Sequence, residues 1–63
     1  MNRIKEARFK RNLTQIALYK RTGIWASKLS LIENGYIKVS DHEKEKLARA
    51  LRFKIDWLFL KNE

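Results

Sequence analysis

The sequence predicts an all-α domain of five short helices, and three observations predict it. Apolar residues recur at three- and four-residue spacing along most of the chain. Proline is absent and the only glycines are Gly23 and Gly35, so few positions can break a helix. Ser, Thr and Asn stand ahead of the apolar runs, where they can cap them. With 63 residues, positions 1–63 read as a single domain without room for a second core. Hydrophobic residues make up 44% of the chain, enough for a small helical core. Cysteine is absent, so no disulfide or thiolate metal site reinforces it.

The first helix is expected from about Arg3 to Arg11, with Asn2 as N-cap and Asn12 in the left-handed position that closes it. Thr14 caps a second helix running to about Arg21 and stopping at Gly23. A third continues to Glu33 or Asn34 and ends at Gly35, the usual place for a C-terminal glycine. Residues Tyr36–Val39 connect it to Ser40-Asp41-His42-Glu43, a capping box opening a fourth helix that reaches Leu51. Lys44, Leu47, Ala48 and Leu51 share one stripe of it. A short fifth helix is expected over Asp56–Lys61.

Periodicity places Ile4, Ala7, Leu13, Leu18, Ile24, Leu29, Ile32, Leu47, Leu51, Ile55 and Leu58 inward. Arg8, four residues after Ile4, and Glu33, four after Leu29, fall on those same inward faces. Each is costly to bury alone, but together they can pair between the first and third helices. The alternative leaves both as solvated surface charges.

Fifteen Lys and Arg against seven Asp and Glu give a formal charge of +8. The basic residues are spread along the chain, which suits a folded basic surface and a polyanionic partner. Residues 13–35 read as two short amphipathic helices joined by a glycine turn. That arrangement lays a second helix into the DNA major groove. No apolar run approaches a membrane span and no secretory leader is recognisable, so the expected location is cytoplasmic. His42 is the only histidine, and no glycine-rich phosphate loop is present. Neither catalysis nor a metal, cofactor or small-molecule substrate is expected.

Leu13-Thr14-Gln15, Gly23-Ile24, Ile32-Glu33-Asn34-Gly35, Leu47-Ala48-Arg49-Ala50-Leu51 and Ile55-Asp56-Trp57-Leu58 resemble the Cro and phage-repressor type of helix-turn-helix domain, the XRE-like regulators. The resemblance covers residues 3–60, with the elements in the right order at the right spacing. It implies a compact five-helix lambda-repressor-like fold, homodimeric operator binding, and an Arg8–Glu33 bridge. Carried over residue by residue, Gln15 binds a DNA phosphate at the start of the second helix, where free amides and the helix dipole favour an anion. Asn34 and Lys38 hold the other backbone, and Lys28 serves a phosphate or a guanine edge. Asn34 as a plain helix cap and Lys28 as a solvated charge are the alternatives.

Several positions depart from the family pattern. Tyr19 stands where a small residue, mostly alanine, is usual, and so large a ring between close helices costs about 1–3 kcal/mol if it overpacks. Trp25 replaces a Ser or Thr N-cap, worth about 1 kcal/mol, so the third helix could start later with Ser27 as its cap. Tyr19 and Trp25 packing on one another would account for both changes; contact of Trp25 with DNA or a partner is the competing reading. The base-reading positions become Ala26, Ser27, Lys28 and Leu31, with Ile16 where a charge is usual. Ala26 and Leu31 can meet thymine methyls, and Ser27 can donate or accept.

Trp57-Leu58-Phe59-Leu60 places four apolar residues on one short segment, and they cannot all face one core. Trp57, Phe59 and Leu60 are therefore candidates for a two-fold dimer contact, against simple wrapping of a small core. The sequence points to a sequence-specific, double-stranded-DNA-binding transcriptional regulator, a repressor of phage, mobile-element or bacterial type. The alternative is a helix-turn-helix scaffold for protein contact, such as an antitoxin or anti-repressor module, favoured by apolar Ile16, Tyr19, Trp25 and Leu31.

Overall fold

The computed structural model describes residues 2–60, and all regular structure among them is helical. The elements are α1 (Ile4–Lys10), α2 (Gln15–Thr22), α3 (Ala26–Glu33), α4 (Asp41–Leu51) and α5 (Ile55–Leu58). α2 packs on both α3 and α4, α1 packs on the same two helices, and α5 packs on α4.

Local chemistry fixes most of the boundaries. Thr14 Oγ1 accepts the Ala17 amide at 3.0 Å to open α2. Gly23, at φ 75°, closes it in a left-handed turn that carries no Cβ penalty. Ser40 and Glu43 form the reciprocal capping box of α4. Asn12 adopts φ 56°, as its short polar side chain permits.

Three helices differ in their bounds from the sequence expectation. α1 is one residue shorter at each end, and Arg3 rather than Asn2 occupies the N-cap position. Asn2 still serves as a cap from one residue further out: its Oδ1 accepts the Ile4 amide at 3.1 Å, and its Nδ2 donates to the Ile32 carbonyl at 2.7 Å. α2 gains Thr22, whose hydroxyl donates to Leu18 O at 2.9 Å and accepts from Ile24 N at 3.1 Å. α5 is the largest correction: it spans Ile55–Leu58, not Asp56–Lys61, and Phe59 is already extended. The Arg3 amide donates to the Leu58 carbonyl at 2.8 Å, taking the acceptor that a continuing helix needs. Lys61 lies outside the described residues.

Among the described residues, nine form the core: Ile4, Ala7, Leu18, Ile24, Leu29, Ile32, Leu47, Leu51 and Leu58. Leu13 and Ile55, expected inside, are only half-buried. Leu13 packs on the edge of the core, and Ile55 opens a helix too short to turn a second residue beside Leu58 inward.

Arg8 and Glu33 are joined in the interior between α1 and α3. Arg8 Nε lies 2.9 Å from Glu33 Oε2 and Nη2 lies 3.3 Å from Oε1, a two-pronged pair. Arg8 Nη1 donates to the Leu13 carbonyl at 3.0 Å, and Gln15 Nε2 adds a bond to Glu33 Oε1 at 3.2 Å. The side chains are 9% and 3% exposed, so little water offsets the loss of either partner.

Arg8→Met leaves Glu33 buried without its cation and is expected to destabilise the fold by about 3–5 kcal/mol in urea unfolding. The double change Arg8→Met/Glu33→Leu is expected to recover most of that loss, because no buried charge is then stranded. An Arg8→Met protein of unchanged midpoint would contradict the assignment.

Candidate nucleic-acid interface

Gly23 joins two eight-residue helices, and the turn aligns α3 so that Leu29 and Ile32 are buried. The opposite side of α3 is then outward: Ser27, Lys28 and Leu31 are exposed, as is Asn34 just past its end, while Ala26 is half-buried. The structure thus exposes three of the four sequence-predicted base-reading residues on α3, Ser27, Lys28 and Leu31, and leaves Ala26 only partly accessible at its first turn. Lys38 is exposed in the following loop. At the start of α2, the amides of Gln15 and Ile16 make no hydrogen bond among the described residues. Such amides, at the positive end of a helix, suit a phosphate.

Three expected contact residues carry intramolecular bonds. Gln15 has turned one amide hydrogen onto Glu33, leaving the other hydrogen and its oxygen for an outside partner. Asn34 Nδ2 donates to Ser30 O at 2.9 Å and so caps α3. Lys28 Nζ lies 2.7 Å from Glu43 Oε2, tying α3 to the first turn of α4. Sequence reasoning had Glu43 only as half of the capping box. Its second partner comes from a different helix, and local spacing carries no signal of that.

Tyr19 and Trp25 stack with ring centroids 5.2 Å apart and 13° between planes. Tyr19 is half-buried against the core, whereas Trp25 remains 68% exposed. α3 begins at Ala26 without a side-chain cap, and Leu29 N bonds the Trp25 carbonyl at 2.8 Å. The later start at Ser27 is therefore not adopted. The stack holds the helix entry where a hydroxyl cap is missing, offset-stacked rings being worth about 0.5–1.5 kcal/mol beyond burial. Leu31 is 42% and Ile16 60% exposed, so this face is apolar as well as basic. Phe9 and Tyr36, at 61% and 74%, are exposed aromatics that the sequence reading passed over.

Trp57 and Phe59 pack on the core, and all three candidate dimer residues, Leu60 included, are half-buried. Trp57 stacks on Phe53 with centroids 4.6 Å apart and lies under the Arg3 guanidinium at 4.9 Å. Lys44 covers Phe59 at 5.3 Å. These aromatics find partners inside one protomer. Among the described residues no helix is long and apolar enough to cross a membrane.

The helix-turn-helix family model matches residues 4–58. The chain belongs to the Cro/C1-type helix-turn-helix family. The members of this family are DNA-binding transcription regulators, and the match runs from the first residue of α1 to the last of α5. No curated protein and no solved structure matches the chain. Within the helix-turn-helix pattern, Tyr19 and Trp25 are a compensated pair, one ring supporting the other.

Two expectations follow for this surface. In a double-mutant cycle of Tyr19→Ala and Trp25→Ala, thermal unfolding should show a coupling of about 0.5–1.5 kcal/mol; strict additivity would contradict the stack. The Glu43 carboxyl is held below its ordinary value of 4.5, first by the Lys28 hydrogen bond and also by Ser40, against the opposing effect of burial. With its folded pKa below the unfolded one, the stabilisation is fully present above the ordinary value of 4.5 and lost as pH falls through the depressed one. The Tm gap between wild type and Glu43→Gln, measured by circular dichroism, should accordingly narrow from pH 7 to pH 3.

Proposed function

We propose that this protein is a sequence-specific double-stranded-DNA-binding regulator, a repressor that inserts α3 into the major groove of a near-palindromic operator. The observation that carries this reading is the outward stripe Ser27, Lys28 and Leu31 on α3, flanked by the unbonded amides at the start of α2. Gln15, Lys28, Asn34 and Lys38 contact phosphates, Lys28 exchanging Glu43 for DNA. Ala26, Ser27 and Leu31 meet base edges, with thymine methyls facing the two apolar side chains. A homodimer spaces two such helices about 34–36 Å apart, one turn of the duplex. Repression is steric, by occupation of the operator, and the cytoplasm is where such a regulator works.

A second reading has support in the exposure of Ile16, Trp25 and Leu31, which gives the same face an apolar character. In it, the scaffold docks a protein partner, as an antitoxin or anti-repressor module does.

Selection from a random duplex pool at near-physiological salt, followed by sequencing, separates the two. The proposal expects enrichment of a two-fold-symmetric motif. Lys28→Ala should then reduce affinity and lower the slope of log K against log salt by about 1. An unenriched pool, with binding that disappears as salt rises, would overturn specific readout. Complex formation lost on Trp25→Ala or Leu31→Ala, with Lys28 and Gln15 irrelevant, would favour the protein-contact reading.

A further inference from the structure

Beyond the face of α3, Arg21 and Thr22 at the end of α2, Lys46, Arg49 and Ala50 on the second half of α4, and Arg52 just past its end line an open cleft of about 600 Å³. We propose that this cleft is a second phosphate-binding site, taking contiguous phosphate groups such as a nucleic-acid strand presents. Four of its six lining residues are cations, and no carboxylate lines it. Several cations elsewhere are engaged within the fold: Arg8 with Glu33, Lys28 with Glu43, Lys10 with Glu6, and Arg11 with two carbonyls; Lys5, Lys20, Lys38 and Lys54 are exposed singly and line no cleft with an arginine. By contrast, the side chains of Arg21, Lys46, Arg49 and Arg52 are exposed and make no hydrogen bond or ion pair among the described residues.

The last turns of α2 and α4 meet here, and helix C-termini attract cations. Each end is worth only about half a negative charge, which four full cations outweigh. The surplus is positive and has no internal partner. Three guanidinium forks match phosphate oxygens in pairs, and several cations together favour a polyanion over a single carboxylate. Thr22 does not compete, because its hydroxyl is committed to Leu18 and Ile24. Lys46 also lines the adjoining depression with Trp25, Lys28, His42 and Glu43, whose carboxylate is engaged by Lys28 and leaves Lys46 unpaired. The basic surface therefore continues from the start of α3 along α4, a path that a strand leaving the recognition helix can follow.

The test titrates the whole chain with tripolyphosphate and follows backbone amides by NMR. Wild type is compared with Arg21→Gln/Arg49→Gln and with Lys5→Gln/Lys54→Gln, a control of equal charge loss. The expected result is shifts centred on Arg21, Thr22, Lys46 and Arg49, and affinity weakened about tenfold or more in the cleft variant alone. Amides outside the cleft should keep their positions in both variants, which verifies the fold. This arm does not depend on operator reading by α3, so failure of one leaves the other standing. In a second arm, duplex DNA binding is measured against salt. A slope lowered by about 2 in the cleft variant alone assigns the site to a nucleic-acid strand. An unchanged slope beside lost tripolyphosphate affinity keeps the site and assigns it to a free polyphosphate. Equal losses in both variants, or none in either, overturn the proposal.

Discussion

The guanidinium of Arg8 and the carboxylate of Glu33 meet where α1, the start of α2 and the end of α3 converge, almost out of water. Burial makes their geometry demanding. A charge desolvated to this degree is tolerable only if its partner and its remaining donors are met, and here they are. Arg8 reaches Leu13 O in the α1–α2 link, and Gln15 at the first turn of α2 reaches Glu33. One network thus joins the element that offers free amides to the element that carries the exposed Ser27, Lys28 and Leu31. For a small domain without disulfides, such a fixed node supplies what a thin apolar core alone supplies poorly.

The other end of α3 is held differently. A missing hydroxyl cap there is answered by two rings, Tyr19 from α2 and Trp25 at the helix entry. The Lys28–Glu43 pair fastens the same end to α4. α3 is therefore anchored by a buried ion pair at its C-terminus and by a stack and a half-exposed ion pair at its N-terminus. The second set is the more exposed, with Trp25 68% and the Lys28 side chain 45% accessible, so under the proposed function Lys28 can leave Glu43 for a phosphate while the Arg8–Glu33 pair stays in place.

The fold was legible because its determinants are local. Thr14, Gly23, Ser40 and Glu43 mark their boundaries by capping chemistry that acts within four residues. The i to i+4 spacing placed Arg8 beside Ile4 and Glu33 beside Leu29 without any knowledge of tertiary contacts. What the sequence concealed depends on distant partners. α5 stops at Leu58 because Arg3, from the other end of the chain, takes its carbonyl. α4 closes on Arg52 at φ 61°, where a glycine would be expected, because Arg11 donates to the carbonyls of Leu51 and Arg52 while covering Phe53. Trp57 and Phe59, read as dimer candidates from their apolar run, are sheltered by Phe53, Arg3 and Lys44. In the candidate site, residue positions were legible, but the bonds that Gln15 and Lys28 make within the fold were not.

Under the proposed function, α3 and the start of α2 form the surface that meets duplex DNA. Amide chemical-shift mapping with a selected duplex tests it most directly, because every element of the chain reports at once. The largest perturbations are expected at Gln15 and Ile16, along Ala26–Leu31, and from Asn34 to Lys38, with the buried amides of Ile4 and Ala7 on α1 little changed. Perturbations absent from α3, or spread evenly over the basic surface, would contradict it.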